Sequence, residues 1–428
     1  MHPRTLSDWL ESIERIHPKS IDMGLERIRV VAARMGLGRP AARVVTVGGT
    51  NGKGSTVAFI EAIAREAGLQ VGAYTSPHIR RFNERIRIDG RDAADAEIVG
   101  AFEAIEAARL DGDGIQLTYF EFATLAALSL FERAALDVAV LEVGLGGRLD
   151  ATNVVDADAM AITTVDLDHQ DYLGPDRESI GFEKAGIARP WKPLVLGDDD
   201  PPASVVRHAY AIGAQAIRAR CDFFFEPVAD ADGAAREWVW REVGHAMTLP
   251  MPALLAPVQL RNAAVAVAAV RALDLPVADD AVARGIASAR IAGRLQGIER
   301  DGVLMLLDVA HNPQAARALA GWLQSNPIAG STHAVFAALG DKDVHVIAQA
   351  LAEQVARWHV AGLAGPRGTD ADALVARLPP KIGACAQRHV DVATALGAAR
   401  ADAQAGDRVL VFGSFHTVAA ALDALDAH

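Results

Sequence analysis

The fold of this chain is decided by the stretch Val44-Val45-Thr46-Val47-Gly48-Gly49-Thr50-Asn51-Gly52-Lys53-Gly54-Ser55-Thr56-Val57-Ala58. The β-branched residues at its start predict a buried strand, and the apolar spacing at its end predicts a helix. The glycines between these elements let backbone N–H groups close around phosphate oxygens, while the helix N-terminus and Lys53 supply positive charge. An ordinary glycine-rich turn would explain a pair of glycines, but not the lysine and hydroxyls in this strand-to-helix context. The stretch therefore predicts an α/β fold with a phosphate-binding loop.

The loop departs from the common phosphate-loop spacing G-x-x-x-x-G-K-[ST]. Gly54 stands between Lys53 and the hydroxyl residues, and the first glycine lies closer to the lysine. Because the spacing differs, it gives no basis for assigning to Ser55 the magnesium-ligand role known from ordinary phosphate-loop proteins.

Length and composition describe a folded, acidic protein. Its 428 residues suggest two or three domains, and 51% apolar with 22% charged residues excludes a disordered chain. The net charge of −12 argues against nucleic acid or an anionic membrane as a partner. No apolar run reaches the ~20 residues of a spanning helix. The two cysteines, Cys221 and Cys385, give no disulfide framework, which predicts a reducing, cytoplasmic setting.

Polar residues occur at the ends of three predicted strands. They are Ser76, Glu142 and His169, at strands predicted over 71–75, 138–143 and 159–165. Ligands bind at the carboxyl edge of open α/β sheets, and a buried carboxylate such as Glu142 needs a cation. A lone histidine at a strand end is usually structural. Two strand ends with such donors, Glu142 and His169, beside a phosphate loop favour a site for a hard cation. Such a cation would keep some of its coordination positions open for phosphate oxygens.

An arginine-rich segment at 79–89 carries four arginines around one aromatic residue. In an acidic protein these cations would hold an anionic substrate beside a flat ring. The alternation of Arg85 and Arg87 with Ile86 and Ile88 equally fits a strand with one solvated face. The sequence leaves both interpretations open.

Two helix starts have ordinary structural explanations. Thr118 and Glu121 have the spacing of a capping box, and Asn262 is an N-cap candidate for a helix that begins near Leu260. Residues 222–256 predict β hairpins.

A domain boundary is expected at Ala292-Gly293-Arg294. Beyond it, short strands and helices alternate again, which predicts a second, smaller α/β domain. The expected domains are 1–292 and 293–428. In the second, Asp308 ends a predicted strand and is followed by the turn Ala310-His311-Asn312-Pro313, which repeats the strand–acid–turn–helix pattern of a ligand-binding edge.

Six motifs in this order are similar to one known family. They are 49–55 (GTNGKGS), 75–78 (TSPH), 141–153 (LEVGLGGRLDATN), 168–169 (DH), 183–187 (EKAGI) and 308–313 (DVAHNP). Together they resemble the folylpolyglutamate synthase/dihydrofolate synthase branch of the Mur ligase superfamily. The resemblance runs from about Ile21 to Pro313, and the inserted Gly54 points to the folate branch. It implies an N-terminal phosphate-loop ATPase domain with a mainly parallel sheet and a C-terminal Rossmann-like, glutamate-ligase-type domain.

The resemblance implies a ligase that depends on ATP and two magnesium ions, and we expect it to be a cytoplasmic monomer. The substrate carboxylate takes the γ-phosphate of ATP, and the amine of L-glutamate then displaces phosphate from the acyl phosphate. The expected substrates are dihydropteroate, reduced folates and L-glutamate, so that dihydrofolate is made and further glutamates are added to reduced folates. The segment Thr118–Glu121 resembles the bifunctional enzymes more than those limited to polyglutamylation.

The resemblance also implies roles for individual residues. Lys53, Lys184 and His311 are the expected catalytic residues. Lys184 resembles a lysine that carbon dioxide converts to N6-carboxylysine. The expected ATP contacts are Gly52, Lys53, Gly54, Ser55, Asn262, Arg294 and Asp308, with Arg294 and Asp308 contributed from the hinge and the second domain. The expected magnesium ligands are Ser76, Glu142 and His169. The expected pterin contacts are Ile21, Asp22, Met23, Thr118, Tyr119, Phe120, Glu121, Leu149, Asp150 and Ala151.

Three other functions compete with this interpretation. An enzyme limited to polyglutamylation would require a tetrahydrofolate. A cell-wall Mur ligase usually carries an additional N-terminal domain, and the residues before Val44 are too few for one. A nucleotide-dependent switch would hydrolyse ATP or GTP independently of folate and glutamate, and it leaves Glu142, His169 and Asp308 without a shared role.

Overall fold

The computed structural model describes residues 4–19, 21–229, 235–365 and 367–426. Within it the chain forms two compact units. The first consists of Met1–Ala253 and Gln259–Arg290, and the second of Leu254–Val258 and Ile291–His428. No helix in the described ranges combines the length and apolar character that crossing a lipid bilayer requires.

The first unit is built on an eight-stranded sheet. Its strands are β1 (Ala41–Gly48), β2 (Val71–Tyr74), β3 (Ile86–Ile88), β4 (Arg91–Asp92), β5 (Leu136–Glu142), β6 (Ala159–Ile162), β7 (Pro193–Leu196) and β8 (Gln215–Arg218). Their order is β4-β3-β2-β5-β1-β6-β7-β8. The six strands from β2 to β8 in this order are parallel, whereas β3 and β4 extend one edge antiparallel.

The central strands are buried on both faces, which explains their continuous apolar sequence. The helices of the first unit are α1 (Leu6–Ile13), α2 (Glu26–Arg34), α3 (Lys53–Glu66), α4 (Asp95–Leu110), α5 (Tyr119–Ala134), α6 (Gln170–Leu173), α7 (Arg177–Ala185), α8 (Ala203–Ile212), α9 (Val258–Arg271) and α10 (Asp279–Ser288). The helix α3 contacts β1, β2 and β5, and its first residue follows the glycine loop directly.

A second, antiparallel sheet lies in the region where hairpins are predicted. It has the order β11-β10-β9, with β9 (Phe223–Ala229), β10 (Ala235–Glu242) and β11 (His245–Pro250). Residues 230–234 of this region lie outside the described ranges. Trp238 and Trp240 on β10 are fully buried, and the Trp240 ring stacks on Phe223 of β9.

The second unit contains a six-stranded sheet of order β12-β13-β17-β14-β15-β16. The strands are β12 (Gln296–Arg300), β13 (Val303–Asp308), β14 (Thr332–Phe336), β15 (Arg357–Ala361), β16 (Gln387–His389) and β17 (Arg408–Phe412). The helices are α11 (Pro313–Ser325), α12 (Val344–Leu351), α13 (Ala371–Ala376), α14 (Pro380–Cys385), α15 (Val392–Asp402) and α16 (Phe415–Asp426). All strand pairs are parallel except β12 with β13. The predicted fold class, a mainly parallel sheet followed by a smaller α/β unit, is confirmed.

Candidate active site

The glycine loop joins β1 to α3 in a backbone conformation that side chains disfavour. Gly52 precedes the first helical residue with a φ of 89°, and Gly49 has a φ of 143°. A Cβ atom at Gly52 would collide with Oδ1 of Asn262, and one at Gly49 would collide with Oγ1 of Thr163. Both positions therefore require glycine for conformation and for space.

Two hydroxyl groups at the start of α3 are buried without a partner. Within the described ranges, Ser55 Oγ and Thr56 Oγ1 have no hydrogen-bond partner. Buried hydroxyls are normally satisfied, because leaving one unpaired costs about 1–3 kcal/mol. A bound phosphate oxygen or hydrated cation would satisfy them, so the loop fits the nucleotide that the sequence predicts.

Two lysines converge on the same loop. The Nζ atom of Lys53 donates to the carbonyl oxygens of Gly49, over 3.0 Å, and of Thr50, over 3.2 Å. Lys184, from α7, is only 4% exposed, and its Nζ donates to Gly49 O over 3.0 Å. Burial, and then the charge of Lys53, lower the pKa of Lys184 to about 7.

The register of the parallel strands brings the predicted metal-binding segments to one edge. Tyr74 pairs with Leu141, Val47 with Glu142, and Gly48 with Ile162. These pairings place the carboxyl ends of β2, β5, β1 and β6 side by side. The segments that carry Ser76, Glu142, the glycine loop and His169 therefore start from the same edge of the sheet.

At this edge of the sheet, the Glu142 side chain is buried and is held in place by a hydrogen bond. Its Oε2 accepts a hydrogen bond of 3.0 Å from the backbone N–H of Ser76, and the residue is 4% exposed. His169 has a φ of 50° and precedes α6. The described residues contain no group of three or more His, Cys, Asp and Glu side chains suited to a metal ion. A site formed by Ser76, Glu142 and His169 would take its remaining ligands from water and phosphate oxygens, as magnesium commonly does.

Asn262 is not the N-cap that the sequence suggests. The helix α9 begins four residues earlier, at Val258, so Asn262 lies within it. Its buried side chain faces Gly52, and its Nδ2 donates to Oε1 of Gln259 over 2.9 Å. This places an amide directly against the glycine loop.

Two of the predicted pterin segments are tied together by Arg27. Its Nη1 donates to Oδ2 of Asp22 over 2.5 Å, and its Nε lies 3.3 Å from Oε1 of Glu121. Glu121 also completes the predicted capping box, because its Oε2 accepts from the N–H of Thr118 over 2.7 Å. Arg27 therefore links these two segments, a contact that the sequence did not predict.

Asp150, in the third predicted pterin segment, is buried and holds its own loop. Its two oxygens accept four hydrogen bonds, from the N–H groups of Gly144, Leu145 and Thr152 and from the Thr152 hydroxyl. Burial raises its pKa, and these donors oppose the rise. The Asp150 side chain thus orders the loop that carries Leu149 and Ala151.

In the second unit, Asp308 at the end of β13 is held by backbone groups. Its oxygens accept from the N–H groups of Leu295 and Ala310, each over 2.8 Å. The pKa of Asp308 is raised, because burial raises it by more than the neighbouring positive charge of Arg294 lowers it. His311 lies beyond this strand, where its Nδ1 is 2.8 Å from the carbonyl oxygen of Val309. The structure therefore brings the three predicted residues of this unit to one strand end.

Comparison with known proteins identifies the family. Residues 293–415 match the model of the Mur ligase, glutamate ligase domain. The chain is 45% identical over 423 residues to the dihydrofolate synthase/folylpolyglutamate synthase of Escherichia coli K12, covering 99% of this chain and 96% of the relative. The chain belongs to the dihydrofolate synthase/folylpolyglutamate synthase family.

Solved structures of this family have the same fold. The E. coli FolC protein in complex with DHPP and ADP superposes with a TM-score of 0.92 and is 45% identical, covering 99% of this chain and 98% of that chain. A bifunctional folylpolyglutamate synthase/dihydrofolate synthase with Mn, AMPPNP and L-glutamate gives 0.90 at 45% identity, with the same coverage. The predicted family and its class, an ATP-dependent ligase of the dihydrofolate synthase/folylpolyglutamate synthase type, are confirmed.

The structure corrects one of the two interpretations of the arginine-rich segment. Arg85 is 8% exposed, and Arg87 forms an ion pair of 2.7 Å with the buried Glu61. A solvated strand face is therefore wrong. The alternation of arginine with isoleucine suggested one solvated face, but the protein covers both faces of β3. A local sequence pattern does not show which other elements pack on a strand.

Proposed function

We propose that this chain joins L-glutamate to 7,8-dihydropteroate to give dihydrofolate, and adds further γ-linked glutamates to reduced folates. The observation that carries the proposal is the glycine loop, which two lysines and Asn262 contact and which leads into a helix start with two buried, unsatisfied hydroxyls. The ligands of the relatives, DHPP, ADP, AMPPNP and L-glutamate, support it. The chain would act as a monomer in the cytoplasm, in keeping with its free cysteines, Cys221 and Cys385.

In the proposed reaction the protein positions charge rather than supplying a nucleophile. A carboxylate is a poor acyl donor until one of its oxygens carries phosphate. Gly52, Lys53, Gly54 and Ser55 hold the ATP phosphates, and Lys53 neutralises the charge on the transferring group. A carboxylate oxygen of the substrate receives the γ-phosphoryl group, and ADP leaves. The glutamate amine then attacks the acyl carbon, forms the amide bond and loses a proton, while phosphate leaves. The other proposed nucleotide contacts are Asn262 in the first unit and Arg294 and Asp308 in the second. His311 is proposed to act near the phosphates.

The proposed metal is Mg²⁺, with two ions bound during turnover. Ser76, Glu142 and His169 supply hydroxyl, carboxylate and imidazole donors, and manganese in a relative supports a divalent site. When bound, the metal would withdraw charge from phosphate oxygens. Glu142 suits this role because it is buried and already oriented by Ser76.

We further propose that Lys184 is carbamylated. Its pKa of about 7 leaves much of the amine neutral near pH 7, and only the neutral amine can attack carbon dioxide. The new N–C bond gives a carbamate and releases one proton. The product carries a negative charge, which would replace a cation beside Lys53 with an anion that attracts Lys53 and magnesium.

The pterin is proposed to contact Ile21, Asp22, Met23, Thr118, Tyr119, Phe120, Glu121, Leu149, Asp150 and Ala151. Arg27 and Asp150 fix the shape of these segments. Domain 1–292 would then bind ATP and pterin, and domain 293–428 would be the glutamate-ligase-type domain, in keeping with the family match over 293–415.

The proposal is tested by phosphate release from ATP and magnesium, with dihydropteroate and L-glutamate added singly and together. We expect release only when both are present. Release that requires tetrahydrofolate instead of dihydropteroate would restrict the chain to polyglutamylation. Release without glutamate or any folate would favour a nucleotide switch and contradict the proposal.

A further inference from the structure

A buried arginine at the edge of the first unit's sheet has no role in the site described above. Arg85 lies just before β3 and is 8% exposed. Its Nε donates to Nδ1 of His78 over 2.8 Å. Its guanidinium carbon lies 5.7 Å from the ring centre of Phe82 and 5.5 Å from that of Tyr119. Two aromatic rings and an imidazole therefore hold this guanidinium in place.

The charge of Arg85 has no carboxylate partner in the described part of the chain. Its neighbours in the same segment differ, because Arg81 pairs with Asp95 and Arg87 with Glu61. Contact with aromatic rings offsets only part of the cost of removing a guanidinium from water. Four of the five N–H donors of Arg85, those on Nη1 and Nη2, make no hydrogen bond to the described residues. A buried, immobilised cation with free donors is suited to binding an anion.

The position of Arg85 connects two parts of the candidate site. The carbonyl oxygen of Arg85 accepts a hydrogen bond from the N–H of Thr75 over 2.9 Å. Ser76, the residue after Thr75, donates its backbone N–H to the Glu142 carboxylate. On its other side, Arg85 contacts Tyr119 in a proposed pterin segment. An anion bound by Arg85 would therefore lie close to both the proposed metal ligands and the proposed pterin contacts.

We propose that Arg85 binds the α-carboxylate of the terminal glutamyl residue on a folate substrate. This inference rests on the proposed function. Dihydropteroate has one carboxylate, which must react with ATP and cannot stay paired with a guanidinium. A folate that already carries glutamate has a second, unreactive carboxylate next to the reacting γ-carboxylate. The planar fork of arginine fits a carboxylate in bidentate fashion. Arg85 is then a specificity residue for chain extension, and is not needed for making dihydrofolate.

The decisive experiment compares two ligands that differ by this one glutamate. The affinities of pteroic acid and folic acid are measured by calorimetry on the full-length protein with AMPPNP and Mg²⁺. We expect the wild-type chain to prefer folic acid, and Arg85→Met to weaken folic acid binding about tenfold or more while pteroic acid changes by less than about threefold. Arg85→Lys keeps the positive charge but loses the planar guanidinium that binds a carboxylate through two hydrogen bonds. The preference for folic acid over pteroic acid should therefore fall by a smaller factor than in Arg85→Met. Arg81→Met, which removes an exposed arginine of the same segment, should change neither affinity.

Three binding results would overturn the inference about Arg85. Equal wild-type affinity for the two ligands would overturn it, even if Arg85→Met failed to fold. So would an equal loss of both affinities in Arg85→Met, since this indicates a structural role. An unchanged preference in Arg85→Lys or Arg85→Met would also overturn it. In steady-state assays the KM for tetrahydrofolate should rise in Arg85→Met while the KM for dihydropteroate stays nearly constant. Absent wild-type turnover would instead refute the proposed function, and the binding comparison would still test Arg85.

Discussion

Lys53 and Lys184 donate hydrogen bonds to the same oxygen atom, the carbonyl of Gly49, each over 3.0 Å. Two ammonium groups on one acceptor repel each other, and Lys184 is also buried. Both effects favour loss of the Lys184 proton, with burial the larger. The proposed phosphate loop thus brings two lysine side chains onto one oxygen atom, and the buried one, Lys184, loses its proton more readily than a lysine in water.

We therefore expect Lys184 to react with carbon dioxide. Because the neutral fraction of the amine grows as pH rises through about 7, the yield of carbamate should increase between pH 6 and pH 8. The measurement is ¹³C NMR of the protein in labelled bicarbonate with AMPPNP and Mg²⁺. Lys184→Met should lose the carbamate signal, and Lys192→Met, which removes a half-exposed lysine, should retain it. The same signal in both variants would show that another amine reacts.

Glu142 should be essential for turnover but not for folding. Glu142→Gln keeps its size and an acceptor for the Ser76 N–H, but removes the negative charge that a divalent cation needs. We expect kcat to fall by about a hundredfold or more, and Mn²⁺ affinity in the presence of AMPPNP to fall with it. Asp137→Asn is the matched control, since Asp137 lies near the amino end of the same strand and accepts from Gln70 N. Near-normal turnover in Glu142→Gln would remove this residue from the metal site.

The glycine loop should not tolerate a methyl group at Gly52. Gly52→Ala forces a positive φ on alanine and places its Cβ against Asn262. Gly68→Ala, at the other end of α3, has a similar φ of 79° but nothing within 4 Å of the new Cβ. Each variant should lose about 1 kcal/mol or more of stability from backbone strain. Only Gly52→Ala should lose AMPPNP binding, as measured by calorimetry. Equal nucleotide affinity in the two variants would contradict the proposed loop.

Acid should destabilise the second unit through a stack of histidines on neighbouring strands. His359 is fully buried, and its ring centre lies 5.5 Å from that of His389 and 6.1 Å from that of His333. Burial first, and then His389, lower its pKa to about 4; Asp402 opposes the shift, while Arg357 adds to it.

Between pH 6.5 and about 4 the unfolded chain binds more protons at His359 than the folded chain does. The free energy of unfolding should therefore fall as pH falls through this window, by up to about 1.4 kcal/mol per pH unit. His359→Gln should flatten the pH dependence of denaturant unfolding, whereas His345→Gln, at an exposed position on α12, should not. Equal pH slopes for wild type and His359→Gln would contradict this prediction.

Much of the fold was predictable because its signals are local. The β-branched run before Gly48, the glycines and the helix after Lys53 are specified by residues adjacent in sequence. The same holds for the capping box at Thr118 and for Glu142 at the end of an apolar strand. The antiparallel strand β12 and the strand β16 were not predicted, because short, half-exposed edge strands carry weak periodicity.

The sequence by itself determined the α/β class, the phosphate loop and the strand ends that carry polar residues, since chain order and parallel pairing bring those ends to one edge. Tertiary structure alone decided which side chains meet there. Asn262 lies against Gly52, Arg27 joins Asp22 to Glu121, and Arg85 has no carboxylate partner in the ranges that the structure describes. These contacts join residues far apart in sequence, and their geometry depends on how helices and strands pack. A local pattern carries no information about that packing.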